Sequence, residues 1–305
     1  MAAPLAVAVV GAGLVYRHQI VSYVTHLKGG PGQTWAYEPF PPSARPEIRL
    51  AVVGDVGEPG DRIDETVRAV AHLGGDDPYD ALVVLGDNVY PSGDPERLGE
   101  RVFGPFSGVL DRGARLLAIL GNHDVKDDHA DGQVAALGMP GRWYATELPG
   151  DVLFVALDST LADDAGQQAW LEKTLAGSDA RWKIAAVHHP PYSAGYQGSS
   201  SETRAAFSPL FERYGVSLVL SGHDHDYQRS KVIRGVTYVV SGGASATRRT
   251  GERSFTAFSA SSHHFVEVDV FPDHLLVRAV RPDELVFDEA TIPTTRPRPA
   301  ASPGG

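Results

Sequence analysis

The chain has no cysteine among its 305 residues. Disulfides, thiolate zinc sites, iron–sulfur clusters and a cysteine nucleophile are excluded together. Basic side chains are also in short supply. Lys and Arg number 27 against 38 Asp and Glu, a formal net charge of −11, which argues against a broad surface for a nucleic-acid backbone. A bilayer-spanning apolar run is missing as well. The N-terminal run Leu5 to Tyr16 is followed at once by Arg17 and His18, whereas a spanning helix needs about 20 apolar residues. It also lacks the basic flank and the small-residue cleavage site of a signal peptide. Two readings stay open for it. One is a signal anchor or export segment, which favours a membrane-anchored or exported protein over a cytoplasmic one. The other is a loosely attached strand or helix. Gly11-Ala12-Gly13 lacks the third glycine and the βαβ context of a dinucleotide fingerprint.

What is present is ordinary globular material, 42% hydrophobic and 21% charged, with length for one large domain or two small ones. The chain divides into an N-terminal apolar segment and a Gly- and Pro-rich linker at 1–46, a working domain at 47–292, and a Pro-rich disordered tail at 293–305. Within the working domain one pattern returns. Short apolar runs end abruptly in Gly or in a polar, metal-capable residue: Leu50–Val53, Ala81–Leu85, Leu116–Leu120, Val152–Leu157, Ile184–Val187 and Val216–Leu220. Runs of this kind suit strands buried on both faces. Helical periodicity separates some of them, over Asp61–Leu73, Gln167–Leu175 and Thr203–Tyr214. Val236–Val240, Phe265–Phe271 and Leu275–Val280 read as sequential strands. This predicts an α/β domain with its polar residues at the carboxyl ends of strands, where ligands bind in open α/β sheets.

Asp55, Asp87, Asn122, His188, His223 and His225 all stand one or a few residues beyond an apolar strand. Residues two apart in an extended segment point the same way, so His223 and His225 can face one pocket. A single Asp after a strand is more often a helix cap or a turn former, and a lone His is more often a satisfied polar side chain. The co-occurrence carries the argument. Six N and O donors exceed the needs of one tetrahedral zinc and suit two hard or borderline cations sharing a carboxylate. Two such ions, about 3.5–4 Å apart, can bind a phosphoryl group and lower the pKa of a shared water.

The segments Gly54-Asp55-Val56-Gly57, Gly86-Asp87-Asn88-Val89-Tyr90, Gly121-Asn122-His123-Asp124, Val187-His188 and Gly222-His223-Asp224-His225 match in order the five signature blocks of calcineurin-like metallophosphoesterases. The chain resembles more narrowly the purple acid phosphatases, particularly the small tartrate-resistant type. Arg142-Trp143-Tyr144, Ala156-Leu157-Asp158 and Gln168-Ala169-Trp170-Leu171 also look like that branch. Many metallophosphoesterases have Asp-x-His in the first block, and here that histidine position is Gly57. Tyr90 offers a phenolate instead, a hard donor that favours Fe(III). The resemblance implies a two-sheet β-sandwich core flanked by α-helices. It implies Asp55, Tyr90 and His225 on the ferric ion, Asp87 bridging, and Asn122, His188 and His223 on a divalent Fe, Zn or Mn ion. His123 would touch the substrate phosphate, with Asp124 beside it as an orienting partner. His189 reads as a non-ligand, although a shift of register would exchange it with His188.

The implied reaction is hydrolysis of a small phosphate monoester by a metal-activated hydroxide, as in an acid phosphatase. One departure bears on it. The small purple phosphatases carry a further His near the leaving group, and Gln197 stands at that position. Glutamine cannot act as a general acid, a role typically worth about 10²–10⁴-fold. A phosphodiesterase with a Mn or Zn pair is therefore the alternative, followed by a binding protein with weakened turnover. His263 and His264 read as structural, Arg248-Arg249 as a solvated loop. Ser245 lacks the Gly-x-Ser-x-Gly elbow of a serine hydrolase.

Overall fold

The computed structural model describes residues 45–294. The expected N-terminal apolar segment, all but the end of the linker, and nearly all of the expected tail lie outside the described residues. Two mixed sheets face each other. In the first, β1 (Ile48–Val53), β2 (Ala81–Val84) and β3 (Arg115–Ala118) run parallel. In the second, β4 (Tyr144–Leu148) pairs antiparallel with β5 (Val152–Leu157), and β6 (Trp182–Val187) and β7 (Leu218–Ser221) continue from β5 in parallel. β8 (Tyr227–Ser230), β9 (Thr237–Ser241) and β10 (Thr256–Ala260) complete this second sheet, in the order β10-β8-β9-β7-β6-β5-β4. The chain then returns to the first sheet as an antiparallel meander of β11 (Phe265–Val270), β12 (His274–Val280) and β13 (Val286–Pro293), giving β13-β12-β11-β1-β2-β3.

The near-continuous apolar strands have a double burial as their cause. In β5, Val152, Phe154 and Ala156 enter the core between the sheets, while Leu153, Val155 and Leu157 enter a second cluster beneath helices. β6 divides in the same way, Ile184 and Ala186 against Ala185 and Val187. This is the period-two alternation of a strand, concealed because both faces are apolar. Among the described residues five α-helices accompany the sheets: α1 (Asp61–Leu73), α2 (Ser107–Leu110), α3 (Ala130–Ala136), α4 (Ala165–Ala176) and α5 (Ser201–Tyr214). Leu171 and Leu175 of α4 and Phe207 and Phe211 of α5 cover the outer face of the second sheet. Asp164 caps α4 through Gln167 N at 2.7 Å, and Ser200 caps α5 through Thr203 N at 3.1 Å. No helix among the described residues is long and apolar enough to cross a membrane.

Candidate metal centre

Five parallel-running strands, three from one sheet and two from the other, deliver the polar residues. β1 leads into Asp55, β2 into Asp87, β3 into Asn122, β6 into His188, and β7 into His223 and His225. The sandwich brings these carboxyl ends together. Asp55, Asp87 and His223 have positive φ values of 58°, 50° and 70°, a region that costs most side chains steric energy and concentrates at functional sites. Backbone bonds hold the turns in place, Asp55 N to Gly86 O at 3.2 Å and Gly222 N to His188 O at 3.1 Å. Gly222 admits no side chain. A Cβ there would lie 2.6 Å from Asp55 Oδ2 and 2.9 Å from Leu85 O.

The first group of donors gathers around the Tyr90 phenol. Its Oη lies 3.1 Å from Asp55 Oδ1, 3.0 Å from Asp87 Oδ2 and 3.1 Å from His225 Nε2. His225 Nε2 is in turn 3.4 Å from Asp55 Oδ1. One phenolic proton cannot serve two buried carboxylates and an imidazole at once. Burial and both carboxylates push the phenol far above its ordinary pKa, so ionising it here requires a cation. The second group lies on the other side of Asp87, whose Oδ1 is 3.5 Å from His188 Nε2. The same nitrogen is 3.2 Å from Asn122 Oδ1. His188 Nδ1 donates to Leu85 O at 2.7 Å, which orients the ring and leaves Nε2 toward the group. His223 places its ring 5.2 Å from that of His188, and its backbone N–H donates to Asp55 Oδ2 at 2.9 Å.

Asp55 and Asp87 are 0% and 2% exposed. Two buried carboxylates this close demand positive charge. Among protein groups Asp87 finds it in His188. Burial, the largest influence, opposes a charged imidazole, but Asp87, Asp55 and the Leu85 carbonyl together outweigh it and raise His188 to about 10. Two neighbouring imidazoles move the opposite way. Burial and His188 lower His223 to about 3 and His189 to about 4, so both rings are neutral and able to ligate or to hydrogen-bond. The donor set of carboxylate, phenol, amide and imidazole fits two cations on either side of Asp87.

His123 and Asp124 are not partners. The His123 ring packs edge-on to Tyr90 with centroids 4.5 Å apart, and its Nδ1 lies 2.7 Å from Pro91 O. Asp124 is fully buried and turns away. It accepts from Asn88 N at 2.8 Å, Asn88 Nδ2 at 2.9 Å, Val89 N at 3.2 Å and Gly121 N at 2.9 Å. The expected orienting role is therefore corrected. Asp124 pins the turns that carry Asp87, Tyr90 and Asn122, and those backbone donors capture both of its oxygens. Beside His123 stands Lys126, which the sequence did not single out, its Nζ 2.9 Å from Nδ1. Only its i+3 spacing from His123 hinted at it. Gln197 is exposed, and its backbone N–H donates to Asp224 Oδ1 at 2.6 Å. His264 is buried between Ser241 Oγ at 3.0 Å and Ser262 O at 2.9 Å. Arg248 is exposed, its guanidinium 5.3 Å from the Tyr196 ring.

Known proteins are similar to this chain in sequence or in fold. Mouse tartrate-resistant acid phosphatase type 5 is 26% identical over 83% of this chain and 92% of its own length. The purple acid phosphatase PPD1 of yellow lupin superposes with a TM-score of 0.70 at 19% identity, covering 84% of this chain and 57% of the lupin chain. The Plasmodium protein GAP50, described as the anchor in the inner membrane complex, superposes with a TM-score of 0.72 at 17% identity, over 83% of this chain and 90% of its own. The sequence profile of the calcineurin-like phosphoesterases matches residues 48–227, from the start of β1 through the His223 and His225 turn. With that span and the strand-end donors described above, the chain belongs to the calcineurin-like phosphoesterase family, with purple and tartrate-resistant acid phosphatases among its homologues.

Proposed function

We propose that this protein hydrolyses small phosphate monoesters at a binuclear metal centre. The observation that carries the reading is the placement of Asp87. One of its carboxylate oxygens faces the Tyr90, Asp55 and His225 group, and the other faces the His188 and Asn122 group. Asp55, Tyr90 and His225 would hold one ion, Asn122, His188 and His223 the other, with Asp87 between them. The phenolate donor of Tyr90 favours Fe(III) in the first position, with divalent Fe, Zn or Mn in the second. When bound, the two cations lower the pKa of a water and neutralise charge on phosphoryl oxygens.

The chain's own residues do the rest. His123 and Lys126 stand together beside Tyr90 and offer hydrogen-bond donors to a phosphoryl oxygen. The His123 backbone N–H donates to Asp87 Oδ1 at 2.8 Å, so this turn also steadies the central carboxylate. Asp124 holds the two turns on either side, which fixes the spacing of Asp87, Tyr90 and Asn122. Gln197 in place of a histidine removes one proton donor for the departing alcohol. That favours substrates with good leaving groups and supports a second reading, phosphodiester hydrolysis. Parallel assays of aryl phosphate and bis-aryl phosphate separate the two.

The test is direct. Protein purified with iron and a divalent metal should contain two metal equivalents and cleave an aryl phosphate. Asp87→Ala should lose both properties, and undiminished turnover in that variant refutes the mechanism. Tyr90→Phe should abolish a visible charge-transfer band while leaving the fold intact. A native protein that is fully active and colourless excludes Fe(III)–tyrosinate.

A further inference from the structure

Three histidine rings converge on the second group of donors, where the sequence supplied two. His188, His189 and His223 present ring nitrogens within 4.8 Å of one another. The His189 ring lies 4.4 Å from that of His223 and 5.1 Å from that of His188, centroid to centroid. Consecutive residues of a strand point to opposite faces, but β6 ends at Val187 and the chain bends through His188 and His189. The bend turns both rings toward the same place.

Ser159 decides what the His189 ring can do. Its Oγ accepts the His189 backbone N–H at 3.0 Å and lies 2.8 Å from Nδ1 of the same residue. Among the described residues the serine hydroxyl proton has one acceptor, His189 Nδ1. With Ser159 Oγ–H as the donor to Nδ1, the ring's own proton sits on Nε2, which makes that nitrogen a donor and not a metal ligand. Ser159 is itself held firmly. The flanking Asp158 accepts from Arg142 Nε at 2.7 Å, Arg142 Nη2 donates to Thr160 Oγ1 at 3.0 Å, and Gln167 bonds both backbone groups of Asp158 at 2.8 and 2.9 Å.

We propose that His189 is a substrate-contacting residue whose Nε2–H donates to a phosphoryl oxygen held beside His188 and His223. This rests on the phosphoesterase reading above. His189 would be the counterpart of His123, which flanks the Tyr90 half. Two imidazoles outside the ligand set then bracket the phosphoryl group. The His189 donor is built into the ligand turn itself, whereas Gln197 sits on an exposed loop tied to Asp224.

The experiment uses the full chain loaded with both metals, as native protein and as His189→Ala, His189→Gln and Ser159→Ala. Three quantities are read: metal equivalents by elemental analysis, inorganic phosphate affinity by calorimetry, and kcat and KM on an aryl phosphate. His189→Ala should keep two metal equivalents and bind phosphate about ten- to a hundredfold more weakly, as expected for one hydrogen bond to a charged oxygen. His189→Gln, which keeps a neutral N–H donor, should recover most of that affinity. Ser159→Ala should fall between them, because the tautomer is no longer enforced. Loss of one metal equivalent in His189→Ala overturns the proposal in favour of a ligand role. Unchanged phosphate affinity and turnover overturn it in favour of a bystander. Native protein that binds phosphate but cleaves no ester refutes the phosphoesterase reading instead, and the phosphate measurements still decide the role of His189.

Discussion

Gly57→Ala adds one methyl group beside the Asp87–Tyr90 turn, and the structure makes its effect calculable. An ideal Cβ at Gly57 would lie 2.7 Å from Val89 N, 2.8 Å from Asp87 O and 2.8 Å from Tyr90 N. Ordinary contact begins at 3.4 Å, so the Asp87–Tyr90 turn would have to retreat by roughly 0.7 Å, against interior packing that resists compression. All three atoms belong to backbone, and none can swing aside. Gly57 N donates to Asp87 O at 3.0 Å, so the retreat also stretches a hydrogen bond. Overpacking of this kind costs about 1–3 kcal/mol, and the backbone clash places Gly57→Ala toward the upper end. At about 2–4 °C per kcal/mol for a domain of this size, the melting temperature should fall by about 5–10 °C. The moving turn carries Asp87 and Tyr90. A misplacement of about 1 Å at a catalytic group can cost on the order of 100-fold in rate, so turnover should fall at least about tenfold and metal retention should weaken with it. Calorimetric melting, metal analysis and an aryl phosphate assay read the three effects. Gly99→Ala is the control, since nothing lies within 4 Å of a Cβ there. If Gly57→Ala melts with the native protein and keeps both metals and full turnover, the steric reasoning is wrong.

Two further outcomes follow from buried groups. Burial lowers His264 to about 4, while the unfolded chain titrates it near its ordinary value of about 6.5. The unfolded state therefore binds more protons between those values. The stability contributed by neutral His264 is complete above about pH 6.5 and is lost as pH falls through about 4, at most about 3 kcal/mol. Urea midpoints from pH 8 to 4 should drop more steeply for native protein than for His264→Gln, and parallel curves would contradict this. Asp124→Asn leaves one acceptor oxygen for the four donor groups that Asp124 now serves and sets an NH₂ against some of them. It should destabilise by about 2–4 kcal/mol and release metal. A variant with native melting and metal content but reduced kcat would restore Asp124 as a partner of His123.

Much of the fold was legible because apolar runs and polar interruptions alternate so sharply. Nine of the strands coincide with apolar runs in the sequence. The other four, β4, β8, β10 and β13, were not, for a common reason. Tyr144–Leu148, Thr256–Ala260 and most of Val286–Pro293 carry polar or partly exposed side chains, and Tyr227–Ser230 reads as a polar turn after His225. Their strand character comes from pairing with neighbours, which no local pattern encodes.

The sequence by itself offered the donors, Asp, Asn and His residues just beyond apolar strands of a cysteine-free chain. Residue type and position after a strand suffice for those six, whereas Tyr90 and Gly57 stood out only through the resemblance to the purple acid phosphatases. The tertiary structure alone decided which groups face which. It turned Asp124 from His123 to the backbone of the neighbouring turns, and it brought Ser159 from the turn after β5 to the ring of His189 at the end of β6. It also filled the space beside Gly57 with the backbone that carries Tyr90. Each outcome depends on contacts between segments some 30 residues apart, made when neighbouring parallel strands of one sheet set the turns that follow them side by side, and the direction of a side chain there is set by packing and not by its neighbours in sequence.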